Sequence, residues 1–286
     1  MLIADLLLFP ITNVWIATLL LPGIYIALET LAPGLPRSPE SFAAFCAMGL
    51  VPCAFFYAVA FFYFLLDTLP PATWVAARKF QGARGAPPRG AYASALAVSL
   101  RSWFVGLAYI ALLAYKVGPA LALPAPSAPW RAADFLAHFP VYLLAVDACF
   151  FATHRLLHST LLFARVHKFH HSFSAPFALA SVYAHPFEHF FSNVLSISAG
   201  PLLCRSHPYS AALWGCLAAL STLNSHSGFA FAGISDGHDW HHRDAGENFG
   251  AGLAIFDKLL GTDARYKRHR EAAAKGEKGG IRKTVN

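Results

Sequence analysis

Residues 42–66 read FAAFCAMGLVPCAFFYAVAFFYFLL, a run of 25 positions without a charged side chain. An α-helix rises about 1.5 Å per residue, so this run is long enough to cross the roughly 30 Å hydrocarbon core of a bilayer. The chain of 286 residues is 56% hydrophobic and only 13% charged, which is more apolar surface than one soluble core of this length buries. The sequence therefore predicts an integral membrane protein.

Three further stretches share this apolar character and also predict membrane-spanning helices: 11–28, 102–122 and 135–153. Together with 42–66 they give about four transmembrane helices. The predicted fold is an all-α, multi-pass membrane protein.

Two later apolar stretches, 190–203 and 208–223, are each shorter than the roughly 18 uncharged residues that a span needs. Gly200-Pro201 is expected to break the first of them, because proline has no backbone N–H for the helix. We expect both stretches to be re-entrant or interfacial segments.

Positive charge is concentrated in the loop between the second and third predicted spans, at Arg78, Lys79, Arg84, Arg89 and Arg101. Lys and Arg next to a span are retained on the cytoplasmic side, so we expect both chain ends in the cytoplasm. The net charge of +7 comes largely from this loop and the C-terminal tail. Attraction to anionic lipid headgroups accounts for it without a nucleic-acid partner.

Composition divides the chain into three parts. Residues 1–134 form an N-terminal transmembrane region, residues 135–270 a domain that carries the histidine boxes, and residues 271–286 a basic cytoplasmic tail. Because the boxes follow the last predicted span, the helical metal-binding domain is expected to face the cytoplasm.

Twelve of the 14 histidines lie from His154 to His242, and ten of these fall into short boxes. The boxes are HRLLH at 154–158, HKFHH at 167–171, HPFEH at 185–189 and HDWHH at 238–242, with His226 between the last two. Positions i, i+3 and i+4 share one face of a helix, so each box is expected to aim its imidazoles at one point.

This many histidines overfill a single metal ion, which takes about four to six ligands, so two ions fit better. Imidazole suits iron, zinc and copper alike. If the chemistry is oxidative, iron is the expected metal, because cleavage of an unactivated C–H bond needs a redox-active centre that binds O2, and zinc cannot supply one.

The boxes and their surroundings resemble the fatty acid hydroxylase superfamily, a group of membrane enzymes that includes sterol C-4 methyl oxidases and sterol C-5 desaturases. The resemblance covers about 147–263 and includes Asp147, APF at 175–177, YAHPFE at 183–188, NSHSG at 224–228, NFG at 248–250 and FDKLLGTD at 256–263. Within the superfamily, the string HKFHH, APF and YAHPFE is most similar to the sterol C-4 methyl oxidases.

The resemblance implies a di-iron enzyme of the endoplasmic reticulum membrane that oxidises a lipid C–H bond with O2, most similar to C-4 methyl oxidation in sterol biosynthesis. Electrons would come from NAD(P)H through cytochrome b5, a reductase or a similar donor. The implied catalytic metal ligands are His154, His158, His167, His170, His171, His238, His241 and His242, with His185 and His226 as additional ligands. Another lipid hydroxylase or desaturase of the same superfamily stays open as an alternative.

Carboxylates near the boxes are expected to support the ligands, because a ligating imidazole usually donates its other N–H to a carboxylate or a carbonyl. The candidates are Glu188, Asp147 and Asp239.

Two other classes of protein also remain. The HPFEH box formally matches the HxxEH pattern of zinc proteases, with Glu188 as general base. A histidine-lined metal transporter is the second, although transporters place their ligands within the spans.

Overall fold

The computed structural model describes residues 38–229 and 236–275, and these residues form helices, turns and loops with a single isolated bridge between Lys79 and Phe229. Three helices in this part of the chain are long and apolar enough to cross a membrane: α1 (Pro39–Thr68), α3 (Ala91–Ala120) and α4 (Ala132–Leu157). They confirm the multi-pass, all-α fold. The span predicted at 11–28 lies outside the described residues.

The remaining helices of the described ranges are shorter: α2 (Ala72–Arg78), α5 (Thr160–Arg165), α6 (186–203), α7 (Pro208–His226), α8 (Asp236–Arg243), α9 (Ile255–Leu260) and α10 (Ala264–Ala274). Two 3₁₀ turns, His167–Ser172 and Ala178–Val182, connect α5 to α6.

The helix α3 begins eleven residues before the predicted start at 102, so it takes in Arg101. The predicted span began only after the charged side chain of Arg101. Arg101 stays exposed on this helix, and its guanidinium donates a hydrogen bond of 2.8 Å to the carbonyl of Ala184.

The main core lies where α1, α3 and α7 meet the turn Ala178–Val182, around Phe56, Phe177, Leu179 and Leu223. Another apolar cluster lies where α4 packs along α6 and α7, with Tyr142 and Trp214 at the contact. The two clusters bring the end of α4, the 3₁₀ turns and the end of α7 together.

The expectation that Gly200-Pro201 breaks the sixth helix was wrong, because α6 continues to Leu203. Proline at 201 removes the N–H that would bond the carbonyl of Ile197. That carbonyl instead accepts a hydrogen bond of 2.9 Å from the indole N–H of Trp214. Neither α6 nor α7 is among the three helices able to span, which agrees with the expectation for these stretches.

At Gly200 the helix α6 closely approaches α4, since a Cβ there would lie 2.6 Å from the Cα of Tyr142. We expect Gly200→Leu to force these helices apart and to destabilise the protein by about 1–3 kcal/mol, the usual cost of overpacking. Thermal unfolding in detergent measures the effect. Leu203→Ala is the control, because Leu203 is 72% exposed at the end of the same helix. Equal melting temperatures for the two variants would contradict the close contact.

Candidate metal centre

The histidines of the site come from four different elements. His154 is in the last turn of α4 and His158 follows its end, whereas the second box forms the 3₁₀ turn His167–Ser172. His226 is the last residue of α7, and the final box is in α8.

Nine of the ten histidines predicted as ligands meet in two clusters, in each of which one nitrogen per ring lies within 4.8 Å of all the others. Cluster 1 contains His154, His158, His167, His171 and His241, and cluster 2 contains His170, His226, His238 and His242. Whether they bind metal stays a prediction that the geometry makes specific.

The expectation that each box aims at one point was wrong for the HPFEH box, described below, and for two boxes that divide between the clusters. The second box contributes His167 and His171 to cluster 1 but His170 to cluster 2. The box in α8 contributes His241 to cluster 1 and the other two histidines to cluster 2. Histidines of one box thus reach two adjacent points, and each of these two boxes contributes to both clusters.

In cluster 1, the Nε2 atom of His167 lies 3.1 Å from that of His154, 2.9 Å from that of His158 and 3.1 Å from that of His171. Two imidazoles bound at right angles to one ion, each about 2.1 Å from it, would have their nitrogens roughly 3.0 Å apart. The spacing therefore suits ligands that share an ion.

In several rings of the site the Nδ1 atom is already occupied, which fixes the tautomer of those rings. In cluster 1 the Nδ1–H groups of His154 and His241 donate to the carbonyls of Phe249 and Glu247, at 2.8 and 2.6 Å. With that proton on Nδ1, the Nε2 atom of a neutral ring carries only a lone pair. Lone pairs facing one another across about 3 Å do not make hydrogen bonds, and a shared cation would stabilise them.

Cluster 2 is built in the same way. The Nδ1–H groups of its rings donate to backbone carbonyls: His170 to Tyr183 at 3.3 Å, His226 to Thr222 at 2.9 Å and His242 to Phe173 at 3.1 Å. The Nε2 atom of His242 is buried and has no hydrogen-bond partner. A buried nitrogen without a hydrogen-bond partner is what a metal-binding imidazole shows when the ion is absent. The donor set of cluster 2 therefore also fits a metal ion.

Burial keeps these rings neutral and ready to bind. It lowers the pKa of His158 and His170 to about 4 and that of His226 to about 3, and the charge of neighbouring imidazoles acts in the same direction on His158 and His226. Metal binding requires the neutral imidazole, so near pH 7 no proton has to be removed from these rings.

Of the carboxylates expected to support the ligands, only Glu188 contacts one of the clustered histidines in the described structure. The Nδ1–H of His167 donates to its Oε1 at 2.9 Å. Asp147 instead accepts from the N–H groups of Ile255 and Phe256 at the start of α9. Asp239 accepts from the side-chain amide of Gln81 at 2.8 Å, because its side chain points away from the imidazoles of α8.

The motifs NFG and FDKLLGTD fix the backbone carbonyl of Phe249, which accepts the hydrogen bond from His154. The carboxylate of Asp257 is fully buried and accepts from the N–H of Phe249 at 2.9 Å and from Thr262 Oγ1 at 2.7 Å. The sequence singled out these motifs only by resemblance. Their physical role is to fix the backbone at Phe249.

Glu247 was missed by sequence reasoning. Its carbonyl orients His241, while its carboxylate accepts from the N–H groups of Arg265 and Tyr266 at the start of α10. A carboxylate just before the NFG motif was the available signal, but nothing in the sequence indicated that its carbonyl would be the functional group.

His185 does not join either cluster. It is exposed and stands immediately before α6, where its Nδ1 accepts from the N–H of Phe187 at 3.2 Å. Such N-terminal capping satisfies a helix N–H that has no partner within the helix. The adjacent His189 lies near Asn193 instead of facing a shared ion with His185.

A cavity of about 630 Å³ reaches both clusters. Phe139, Leu143 and Val146 of α4 and Trp214 of α7 form part of its wall, and His154, His226 and His238 lie on it as well. The cavity therefore connects apolar surfaces of the helical bundle with the two sets of imidazoles.

Paired histidine clusters on a cavity between apolar helices define the class: a membrane protein with a predicted two-metal histidine centre. Residues 139–262 match the model of the fatty acid hydroxylase family. The chain belongs to the fatty acid hydroxylase superfamily through this domain, as its motifs predict.

The chain is 38% identical over 136 residues to the fatty acid hydroxylase domain-containing protein 2 of Homo sapiens, which covers 47% of this chain and 40% of the relative. It is 33% identical over 174 residues to methylsterol monooxygenase 2-2 of Arabidopsis thaliana, covering 56% and 64%. A very-long-chain aldehyde decarbonylase of Oryza sativa is 38% identical over 152 residues, covering 49% and 56%. The matched region thus spans less than two thirds of each of these relatives. No solved structure matches the chain.

The contrast between His241 and His185 tests the cluster assignment. His241 is fully buried in cluster 1, so His241→Ala should lower the metal content of the purified protein, because it removes one of five converging nitrogens. His185→Ala should leave the metal content unchanged. Elemental analysis of both variants measures this, and equal losses, or none in His241→Ala, would contradict the assignment.

Proposed function

We propose that this protein is an O2-dependent oxygenase that oxidises a C–H bond of a membrane lipid with two iron ions, one held by each cluster. The observation that carries the proposal is the convergence of nine imidazoles on a cavity walled by apolar helices. Membership of the fatty acid hydroxylase superfamily supports the same chemistry.

The chemistry of the proposed reaction balances with a simple electron donor. One atom of O2 enters the C–H bond, and the other leaves as water after two electrons and two protons have been supplied. When bound, iron supplies the redox chemistry that O2 activation requires.

The residues of the chain orient the metal ligands and exclude water from the cavity. Neutral imidazoles with Nδ1 held by carbonyls present their Nε2 lone pairs, and the carboxylate of Glu188 orients His167. Phe139, Leu143 and Trp214 line the approach, so the lipid would displace water from the cavity before oxidation.

A sterol oxidised at its C-4 methyl group is the substrate we propose. The similarity to a methylsterol monooxygenase over 56% of the chain supports this choice. The cavity volume of about 630 Å³ falls in the usual range for a small-molecule site, roughly 300–1,000 Å³. A hydroxylase or desaturase acting on a fatty acid or another lipid is the alternative, because the same apolar wall would accept a linear chain.

We further propose that the electrons come from NAD(P)H through cytochrome b5 or a similar reductase partner, and that the protein lies in the endoplasmic reticulum membrane with both termini in the cytoplasm. Exposed arginines between α2 and α3, such as Arg84 and Arg89, are consistent with that orientation.

The zinc protease alternative has little support in this geometry. A protease of the HxxEH type needs both histidines on one ion with the glutamate beside it. Here His185 is exposed, and Glu188 is hydrogen-bonded to His167 of cluster 1.

Isotope labelling tests the proposed reaction. Purified protein supplied with an electron donor, a 4-methylsterol and ¹⁸O2 should release a 4-hydroxymethylsterol that carries one ¹⁸O atom, detected by mass spectrometry. His241→Ala should be inactive, because it removes a ligand. A product without ¹⁸O would contradict the oxygenase proposal, whereas turnover of fatty acyl lipids in place of the sterol would contradict only the sterol assignment.

Cavity size gives a second test. Ala218 is buried on α7 and lies on the cavity wall, so Ala218→Phe should fill part of the space a lipid would occupy. We expect at least a roughly tenfold lower kcat/KM, equivalent to about 1.4 kcal/mol, with metal content unchanged. Unaltered kcat/KM would show that the substrate does not use this cavity.

A further inference from the structure

Lys79, which the sequence counts among the surface charges of the cytoplasmic loop, is buried and only 5% exposed. Its ammonium group forms an ion pair of 2.7 Å with Asp67 near the end of α1. It also donates a hydrogen bond to the carbonyl of Ser227 and lies 3.9 Å above the ring centre of Phe229. A charge buried in this way has a structural task, because burying it without partners would be costly.

The two residues that follow Lys79 make further long-range contacts. The N–H of Phe80 donates to the carbonyl of Gly228 at 2.7 Å. The side-chain amide of Gln81 donates to the carbonyl of Ser174 and to Oδ1 of Asp239, both at 2.8 Å. Three consecutive residues are thus fastened to segments that lie about 90 to 160 positions later in the chain.

Two of these contacts lead directly to ligands of cluster 2. Ser227 and Gly228 follow His226, so Lys79 and Phe80 hold the backbone just beyond that ligand. Asp239 follows His238 in α8, so Gln81 holds the turn that carries this second ligand.

The remaining contact reaches a third ligand through one intermediate residue. Ser174 follows Phe173, and the carbonyl of Phe173 accepts the hydrogen bond from His242 Nδ1. Gln81 therefore acts on the backbone that sets the orientation of the His242 ring.

Gly228 allows the close approach that these contacts require. It has a φ of +71°, and a Cβ at this position would lie 3.2 Å from Cδ of Lys79 and 3.3 Å from the carbonyl oxygen of Pro176. Glycine adopts this backbone conformation without the strain that a side chain would add. The segment after His226 is thereby shaped to receive Lys79.

The groups that orient the rings of cluster 1 lie within the region that matches the family. His154 donates to Phe249, and His167 donates to Glu188. His241 donates to Glu247. All of these partners lie between residues 139 and 262, whereas Lys79, Phe80 and Gln81 lie outside that range.

We propose that Lys79, Phe80 and Gln81 form a clamp that positions three of the four ligands of cluster 2, so that the second metal site depends on the membrane region preceding the hydroxylase domain. The clamp rests on the proposed two-metal centre. Its residues are positioning residues, since they act through Ser227, Gly228, Ser174 and Asp239. Loss of the clamp should therefore weaken one metal site and spare the other.

The choice of variant decides whether the test is informative. Lys79→Met alone would leave Asp67 as an uncompensated buried charge and could unfold the protein. Gln81→Ala avoids this problem because Gln81 is only partly buried and uncharged. The double variant Asp67→Asn with Lys79→Met removes both charges together. Arg84→Ala is the control, since Arg84 is exposed in the same loop.

The experiment measures iron per folded chain by elemental analysis of full-length protein in detergent, at graded concentrations of free Fe²⁺. Wild type and Arg84→Ala should retain two ions. Gln81→Ala and the double variant should retain one, with the affinity of the second site lowered about 10- to 100-fold, as is typical when groups that orient ligands are removed. Helical circular dichroism and melting temperature report whether the chains stay folded.

Two results would overturn the clamp. Two ions held with unchanged affinity in both variants would show that cluster 2 does not need it, and parallel loss of both ions would show a general effect on folding. A wild-type protein that binds two zinc ions and oxidises no lipid would count against the proposed function. In that case the zinc content of the variants would still test the clamp by the same count.

Discussion

The arrangement depends on one constraint: nine imidazoles must present unprotonated nitrogens at two adjacent points. A neutral imidazole has a single lone-pair nitrogen, so its other nitrogen has to keep the proton and find an acceptor. For six of the nine rings that acceptor is a backbone carbonyl or the carboxylate of Glu188, at distances between 2.6 and 3.3 Å. The backbone that carries these acceptors is therefore as much a part of the site as the histidines.

This constraint explains several buried polar groups that would otherwise be costly. Asp257 and Asp147 bind backbone N–H groups on the two sides of the loop between Phe249 and Phe256. Glu247 joins His241 to the start of α10. Converging lone pairs repel one another until a cation binds them, so metal binding and stability of this region should be coupled.

The apolar spans and the clustered histidines could be predicted from the sequence because both depend on local patterns. Length and absence of charge located the helix around 42–66, and spacing located His154 and His158. The positions of individual side chains in the folded protein were harder to predict from the sequence. The split of the 167–171 box between clusters depends on how the 3₁₀ turn sits against α8, and the capping role of His185 depends on where α6 begins. Burial of Lys79 depends on segments far away in the chain, which no local pattern encodes.

X-ray absorption spectroscopy at the iron edge, combined with metal analysis of the purified protein, tests the central claim most directly. The account predicts two iron ions per chain and a nearest shell dominated by imidazole nitrogen at about 2.1 Å, with the outer-shell scattering that imidazole rings produce. A single ion per chain, or a shell dominated by carboxylate oxygen or sulfur, would contradict it.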